Sequence, residues 1–174
     1  MKKRTYKFFV TALYVLLLLI LVSCTEKTET KTHDENIQTI EAVLQNNLTG
    51  PDDELKQILK GEGKLEALGQ YEENLYKDYF ADETSYQEYI SSYGSVLWIE
   101  PIRNDYKLEV ENIEYEKSDS KEIIYNFSIE LQYRKEDSES SEVETVNGQA
   151  NLNEEHKIED MLIRIEEPWS TFGS

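Results

Sequence analysis

The second half of the chain carries the pattern that most restricts its fold, because after Pro101 apolar side chains recur at every second position. Successive side chains of a β-strand point to opposite faces, so this spacing predicts strands with one buried face and one wet face. A break in the alternation near Glu111 or Asn112 predicts a β-bulge. The clearest strand alternates through Ile123, Tyr125, Phe127, Ile129, Leu131 and Tyr133.

Three short polar segments separate the predicted strands, at residues 118–121, 135–141 and 153–156. Connections of this length usually join strands that are neighbours in space. The pattern therefore predicts four strands in an antiparallel meander, in which the two strands after the clearest one bury Val146, Ala150, Leu152, Met161, Ile163 and Ile165.

The residues before Pro101 show a helical pattern, in which apolar side chains recur at spacings of three and four. The first predicted helix begins at Ile37 and has Asp34 or Asn36 as its cap. Gly50 follows the last apolar position of this repeat and marks the end of the helix.

Three further helices are predicted after Gly50. A short one follows Pro51, and a longer one covers residues 64–80. The last begins at Ser85, because Glu88 three residues later completes a capping box. The longer helix is predicted to bury Leu65, Leu68, Leu75 and Tyr79.

Helices followed by strands predict an α+β fold, with the N-terminal helices packed on one face of a curved antiparallel sheet of four to five strands. The fifth strand would be an edge strand at residues 96–99. The element order, the bulge and the size resemble the nuclear-transport-factor-2-like (NTF2-like) fold of the cystatin-like group over residues 37–166. The resemblance implies a cone-shaped cavity between helices and sheet.

The N-terminal residues have the layout of an export signal. A basic start at residues 2–7 precedes an uncharged run from Phe8 to Val22, which ends in Leu21-Val22-Ser23-Cys24. This string resembles the lipobox of bacterial lipoproteins. The resemblance implies that residues 1–23 are removed and that Cys24 carries a diacylglyceryl group. Residues 24–36 would then form a flexible tether, residues 37–166 the domain and residues 167–174 a C-terminal tail.

Two alternatives to lipidation remain open at this stage. The uncharged stretch from residue 8 to residue 25 just reaches the length of an uncleaved membrane anchor. An ordinary secretory signal would also fit the apolar run, but it would leave Cys24, the only cysteine, unpaired outside the cytoplasm.

The charge balance excludes several partners. The chain has 36 acidic and 18 basic residues and a formal net charge of −18. Nucleic acids and anionic lipid surfaces attract clusters of Lys and Arg, so neither is an expected partner of this domain. The lipid anchor would be its contact with the membrane.

The residue types needed for common catalytic sites are scarce. Only His33 and His156 could serve as histidine bases or ligands, and neither has a cysteine or second histidine at zinc-ligand spacing. No serine stands in a nucleophile elbow for His156. The acidic run at residues 136–139 lacks the spacing of a calcium loop and is interpreted as a hairpin tip. No cofactor, metal or catalytic residue is predicted.

The helical half is rich in aromatic residues, which either pack as core or line the cavity that the resemblance implies. An ionised carboxylate is not expected to be buried among them. The possible cavity-lining residues are Tyr71, Tyr79, Tyr89, Tyr93 and Trp98.

Trp169 and Phe172, near the C-terminal end, are expected either to latch onto the domain or to contact a partner. The sequence as a whole predicts a non-enzymatic, lipid-anchored protein on the extracytoplasmic face of a bacterial cell membrane. Such a protein would bind another envelope or surface protein. The alternatives are a binder of a small apolar molecule or peptide, and an acid/base enzyme of the isomerase or dehydratase kind.

Overall fold

The computed structural model describes residues 34–61 and 64–165. The predicted α+β class is confirmed, with helices in the first part and a four-stranded antiparallel sheet in the second. Two 3₁₀ turns, Lys77–Tyr79 and Ser95–Trp98, interrupt the helical part. The helices are α1 (Glu35–Leu48), α2 (Asp53–Lys60), α3 (Lys64–Tyr76), α4 (Glu83–Ser92) and α5 (Ile99–Arg103). The strands are β1 (Tyr106–Lys117), β2 (Ile123–Lys135), β3 (Ser141–Leu152) and β4 (Ile158–Arg164).

The sheet is the predicted meander, because its strand order is β1-β2-β3-β4 and each strand is antiparallel to the next. The predicted bulge is also confirmed. The pairing between β1 and β2 passes from Val110 opposite Leu131 to Asn112 opposite Glu130, which leaves Glu111 as the extra residue.

One face of the sheet forms the core with the helices. Four alternate residues of β2 are buried, and the residues between them are exposed or half-buried, as the period of two requires. The helix α1 contributes an apolar stripe at spacings of three and four to the same core. The buried residues are Tyr125, Phe127, Ile129 and Leu131 of β2 and Ile40, Val43, Leu44 and Leu48 of α1.

The predicted edge strand at residues 96–99 is wrong. This segment contains a 3₁₀ turn and the first residue of α5. Ser95 and Trp98 are buried whereas Val96 and Ile99 are exposed. A spacing of three between buried positions fits a tight helix, and an extended strand would instead have placed Val96 and Trp98 on the same face.

The buried face of α3 also differs from the prediction. Leu65 was expected in the core, but its side chain is 86% exposed. The covered face runs through Leu68, Glu72 and Tyr76, and α3 ends at Tyr76 instead of continuing to Phe80. The reason is that the first turn of α3 extends beyond the core, so its apolar residue has no surface to cover.

The starts of α1 and α4 are both set by aspartate caps. Asp34 accepts a hydrogen bond from the backbone N–H of Asn36 at 3.0 Å, so α1 includes two residues that the sequence placed in the tether. Asp82 accepts from the backbone N–H of Ser85 at 2.9 Å. The start of α4 was therefore predicted too late, because Ser85 lies inside the first turn and Asp82 is the cap.

Asp34 also joins α1 to the sheet, because the Tyr125 hydroxyl donates a hydrogen bond to its second carboxylate oxygen. Partial burial alone would raise the pKa of Asp34. The hydrogen bonds from Tyr125, Asn36 and Ile37 outweigh this effect and hold the pKa below its usual value. A carboxyl group with a lowered folded-state pKa stabilises the fold above its unfolded pKa of about 3.9 and loses that contribution as the pH falls.

We therefore expect Asp34→Ala to lower the free energy of unfolding by about 1 kcal/mol at pH 7, the usual cost of losing a cap. The difference from the parent should shrink below about pH 4, because the parent carboxylate is then protonated. Urea unfolding followed by circular dichroism at pH 7, 4 and 3 measures both values. A difference that stays constant over this range would contradict the charge-dependent role of Asp34.

A second prediction concerns Gly148, which lies opposite Phe127 in the sheet. A Cβ atom at position 148 would lie 2.2 Å from Cζ of Phe127 and 2.4 Å from the carbonyl oxygen of Leu162. Gly148→Ala should therefore destabilise the protein by about 1–3 kcal/mol through overpacking. The matched control is Gly69→Ala at an exposed position of α3, where a Cβ has no neighbour within 4 Å. This control should stabilise by about 0.5–1 kcal/mol, and equal effects of the two substitutions would contradict the packing described.

Candidate functional site

The aromatic residues form a packed group around Tyr89. The ring centroid of Tyr89 lies 4.8 Å from that of Phe80 and 5.6 Å from those of Tyr76 and Tyr93. Such distances are those of tilted aromatic pairs in protein cores. Tyr89 is only 3% exposed, so these rings pack around it as part of the core.

The five residues predicted to line a cavity occupy different surroundings. Tyr89 and Tyr93 share a ring contact, whereas the Tyr71 hydroxyl donates to Asp52 at 3.0 Å. Trp98 is 3% exposed, and its ring lies against the position where Gly50 would carry a Cβ. Tyr71, Tyr79 and Tyr93 are half-buried against the core. A ligand-binding role for the five residues stays a prediction.

The buried hydroxyl of Tyr89 is used inside the fold. It accepts a hydrogen bond from Nδ2 of Asn47 at 2.6 Å, and the same nitrogen donates to the backbone carbonyl of Tyr93 at 3.3 Å. Burial raises the pKa of Tyr89, and the hydrogen bond from Asn47 offsets only part of that rise. The hydroxyl is therefore neutral at physiological pH.

Tyr76 has a similar structural role in α3. Its hydroxyl donates to the backbone carbonyl of Asn46 at 3.2 Å, while the Asn46 side chain donates to the carbonyl of Leu75 at 3.1 Å. Burial, followed by the nearby Tyr89, raises the pKa of Tyr76. These reciprocal bonds attach α3 to α1.

A buried carboxylate lies close to these tyrosines, contrary to the expectation from sequence. Glu72 in α3 is 8% exposed. Its Oε1 accepts from the backbone N–H of Ser95 at 2.7 Å and from the Ser95 hydroxyl at 2.5 Å. Burial and then the charge of Glu72 raise the pKa of Tyr86 to about 12.

The two bonds give Glu72 a structural function. It satisfies a backbone N–H at the start of the 3₁₀ turn Ser95–Trp98, where no earlier carbonyl is available. Gly94 allows this approach, because a Cβ there would lie 2.7 Å from Oε1 of Glu72. The helical spacing of Leu68, Glu72 and Tyr76 could have indicated that Glu72 faces inward, but its partner lies 23 residues away in the chain.

His156 joins the turn between β3 and β4 to the start of α1. Its Nδ1 lies 3.0 Å from Oδ1 of Asn36, and its Nε2 lies 2.9 Å from a carboxylate oxygen of Glu35. His156 also has a φ of 61°, a left-handed backbone conformation that occurs in tight turns. Both ring nitrogens therefore have partners within the fold.

The predicted hairpin tip at residues 136–139 lies in the turn between β2 and β3, and Glu136 pairs there with Lys56 of α2. In the part of the chain that the structure describes, no three His, Cys, Asp or Glu side chains are arranged to hold a metal ion. The absence of catalysis stays a prediction.

A cleft of about 380 Å³ lies between α4 and β4. Its walls are polar and apolar in nearly equal parts, the charged residues that line it are all acidic, and no Lys or Arg lines it. From α4 they include Ser85, Glu88, Tyr89, Ser91 and Ser92, and from β4 they include Glu159, Asp160, Met161 and Leu162.

Cys24, Trp169 and Phe172 lie outside the described residues, so their predicted roles are untested. None of the helices that the structure describes is long and apolar enough to cross a membrane.

The bond between Asn47 and Tyr89 leads to a third prediction. Tyr89→Phe removes the acceptor of a buried amide donor, which should cost about 1–3 kcal/mol. Tyr93→Phe is the matched control, because Tyr93 binds Asn47 through its backbone carbonyl and should change stability by no more than about 0.5 kcal/mol. Thermal and urea unfolding compare the two variants. A larger loss of stability in Tyr93→Phe than in Tyr89→Phe would contradict the role given to the hydrogen bond between Asn47 and Tyr89.

Comparison with known proteins gives little further information. No protein-family model and no curated protein sequence matches the chain. One solved structure that is similar in fold is the solution structure of TraH, a candidate transfer protein of the Gram-positive conjugative plasmid pIP501. The similarity covers 77% of this chain and 94% of TraH, at 11% identity and a TM-score of 0.46. A likeness at this level says nothing about what the chain binds, and the lipoprotein and NTF2-like resemblances remain predictions.

Proposed function

We propose that this protein is a lipoprotein on the outer face of a bacterial cytoplasmic membrane, and that its acidic α+β domain binds another envelope or surface protein. The observation that carries the anchoring is the string Leu21-Val22-Ser23-Cys24 after a basic start and an uncharged run. Cys24 is the only cysteine of the chain, and a thioether to lipid gives it a stable chemical state outside the cytoplasm.

The anchor and the domain would be joined by a short segment. The described fold begins at the Asp34 cap, ten residues after Cys24. Ten residues can span about 35 Å when fully extended. The net negative charge would keep the domain off an anionic lipid surface, so the anchor would hold it near the membrane without adhesion.

Binding is better supported than catalysis, because the groups that could act as acids or bases are engaged in contacts within the fold. The Tyr89 hydroxyl contacts Asn47, Glu72 contacts Ser95, and both ring nitrogens of His156 contact the start of α1. An acid/base catalyst needs such groups to face a substrate. Glu72 is the observation that favours the enzyme alternative, but its oxygen Oε1 is occupied by Ser95.

A ligand inside the aromatic group is supported less well than a protein partner. Tyr89 and Trp98, two of the proposed cavity residues, are almost completely buried, and their neighbours are other core side chains. A small apolar ligand would have to displace that packing, at a cost comparable to overpacking a core.

The lipid anchor is tested by growing producing cells with labelled palmitate. The parent chain should take up label, because lipidation of Cys24 attaches the acyl chains that anchor it. It should also lose residues 1–23, because the lipobox resemblance implies cleavage before Cys24. Cys24→Ala should give an unlabelled precursor of full length. Ser23→Ala keeps a small residue before the cleavage site and should still be labelled. Equal labelling of Cys24→Ala and the parent would disprove lipidation at this residue.

A further inference from the structure

In the part of the chain that the structure describes, no strand pairs with most of the outer edge of β4. Among residues 34–61 and 64–165, its pairing on this side is one parallel bridge between Phe80 and Ile158, where the Ala81 N–H donates to the Ile158 carbonyl at 2.9 Å. The chain then turns into α4 at its cap, Asp82. On the side away from β3, residues 160–164 thus have no described strand beside them, and an edge of this kind offers unpaired backbone donors and acceptors.

The cleft between α4 and β4 lies along this open edge. Four consecutive residues of β4, from Glu159 to Leu162, line it. Glu159 lies at the register shift against β3, but Asp160, Met161 and Leu162 alternate between the two faces of the sheet. A wall that includes all three therefore runs along the edge of the strand. The opposite wall is α4, and the volume of about 380 Å³ falls in the range of binding clefts.

The other edge of the sheet is less suited to pairing. On β1, Gly50 already exchanges two backbone hydrogen bonds with Leu108, at 3.0 and 2.8 Å, and the bulge at Glu111 interrupts the ladder. Bulges are a common protection of edge strands. On β4 the register with β3 shifts once, at Glu159, and is regular from residue 160 to residue 164, where Leu162 is 40% exposed.

The charge of the cleft indicates the kind of segment that would bind. Glu88 of α4 and Glu159 and Asp160 of β4 line it, and its lining residues include no basic side chain. Electrostatic complementarity favours a partner rich in Lys or Arg. A second copy of this chain would bring its own net charge of −18, which opposes close approach.

We propose that β4 and the adjacent cleft are the docking surface for an extended, basic segment of a partner protein, which adds to the sheet as a fifth strand. The inference rests on the proposed function, because it specifies how the domain binds a protein. Backbone bonds to residues 160–164 would supply affinity. Basic side chains near Glu159, Asp160 and Glu88, with an apolar side chain near Leu162, would supply specificity.

The test uses the full-length chain in a neutral detergent and an eight-residue capped peptide of alternating Lys and Val. The peptide should slow amide hydrogen exchange at residues 160–164. The same peptide with N-methyl groups at alternate residues keeps its charge but loses backbone donors, and it should bind at least about tenfold more weakly.

Two charge variants provide the matched comparison. Glu159→Lys with Asp160→Lys should weaken binding of the peptide by about tenfold or more. Glu114→Lys with Glu116→Lys alters two exposed residues of β1 by the same net charge and should change it by less than about threefold. Circular dichroism melts establish that both variants are folded.

Several results would overturn the docking surface. They are equal affinity of the N-methylated peptide, slowed exchange on β1 instead of β4, no peptide binding at about 1 mM, and self-association of the chain through β4. Any of these with continued palmitate labelling would disprove the docking mode and leave the anchored, partner-binding role standing. If the parent chain takes up no palmitate but the peptide still slows amide hydrogen exchange at β4, the lipid anchor is disproved and the docking surface stands.

Discussion

The burial of one face of β2 is the contact on which the rest of the described fold depends. This strand pairs with β1 on one side and β3 on the other, so its register fixes both neighbours. Its residues Tyr125, Phe127, Ile129 and Leu131 supply the apolar centre against which α1 packs. A slip of one residue would expose all four, so the alternation in sequence and the register in space are strongly coupled.

The helical half meets this sheet through polar contacts as well as apolar ones. Asp34 joins the start of α1 to Tyr125 of β2, and Asn47 near its end binds Tyr89 of α4. Glu72 then connects α3 to Ser95. Because a buried polar group without a partner costs about 1–3 kcal/mol, these pairs select one arrangement of the helices among those that would bury similar apolar area.

The first three strands could be predicted from the sequence because a period of two over twelve or thirteen residues leaves little ambiguity, and the seven residues of β4 follow the same period from Asp160 on. The bulge at Glu111 followed from the same alternation. The helical half was less predictable, because short helices bury only part of a turn and their limits depend on caps such as Asp82. The hydrogen-bond partners of Glu72 and Asn47 could not be derived from local pattern, since they lie 23 and 42 residues away. The open edge of β4 likewise depends on where Phe80 and Ala81 lie in space.

The two edges of the sheet differ in a way that bears on how an acidic domain can associate with a partner. An open edge is an aggregation risk, and proteins commonly reduce it with charge, bulges or covering segments. On β1 the bulge and Gly50 perform this role, whereas among the described residues β4 has one bridge on its outer side, at Ile158, and faces α4 across the cleft. Glu159 and Asp160 discourage pairing between copies of a strongly acidic chain but favour a basic strand. The same charges that oppose close approach of two copies would therefore make the proposed β4 docking surface selective for an oppositely charged partner.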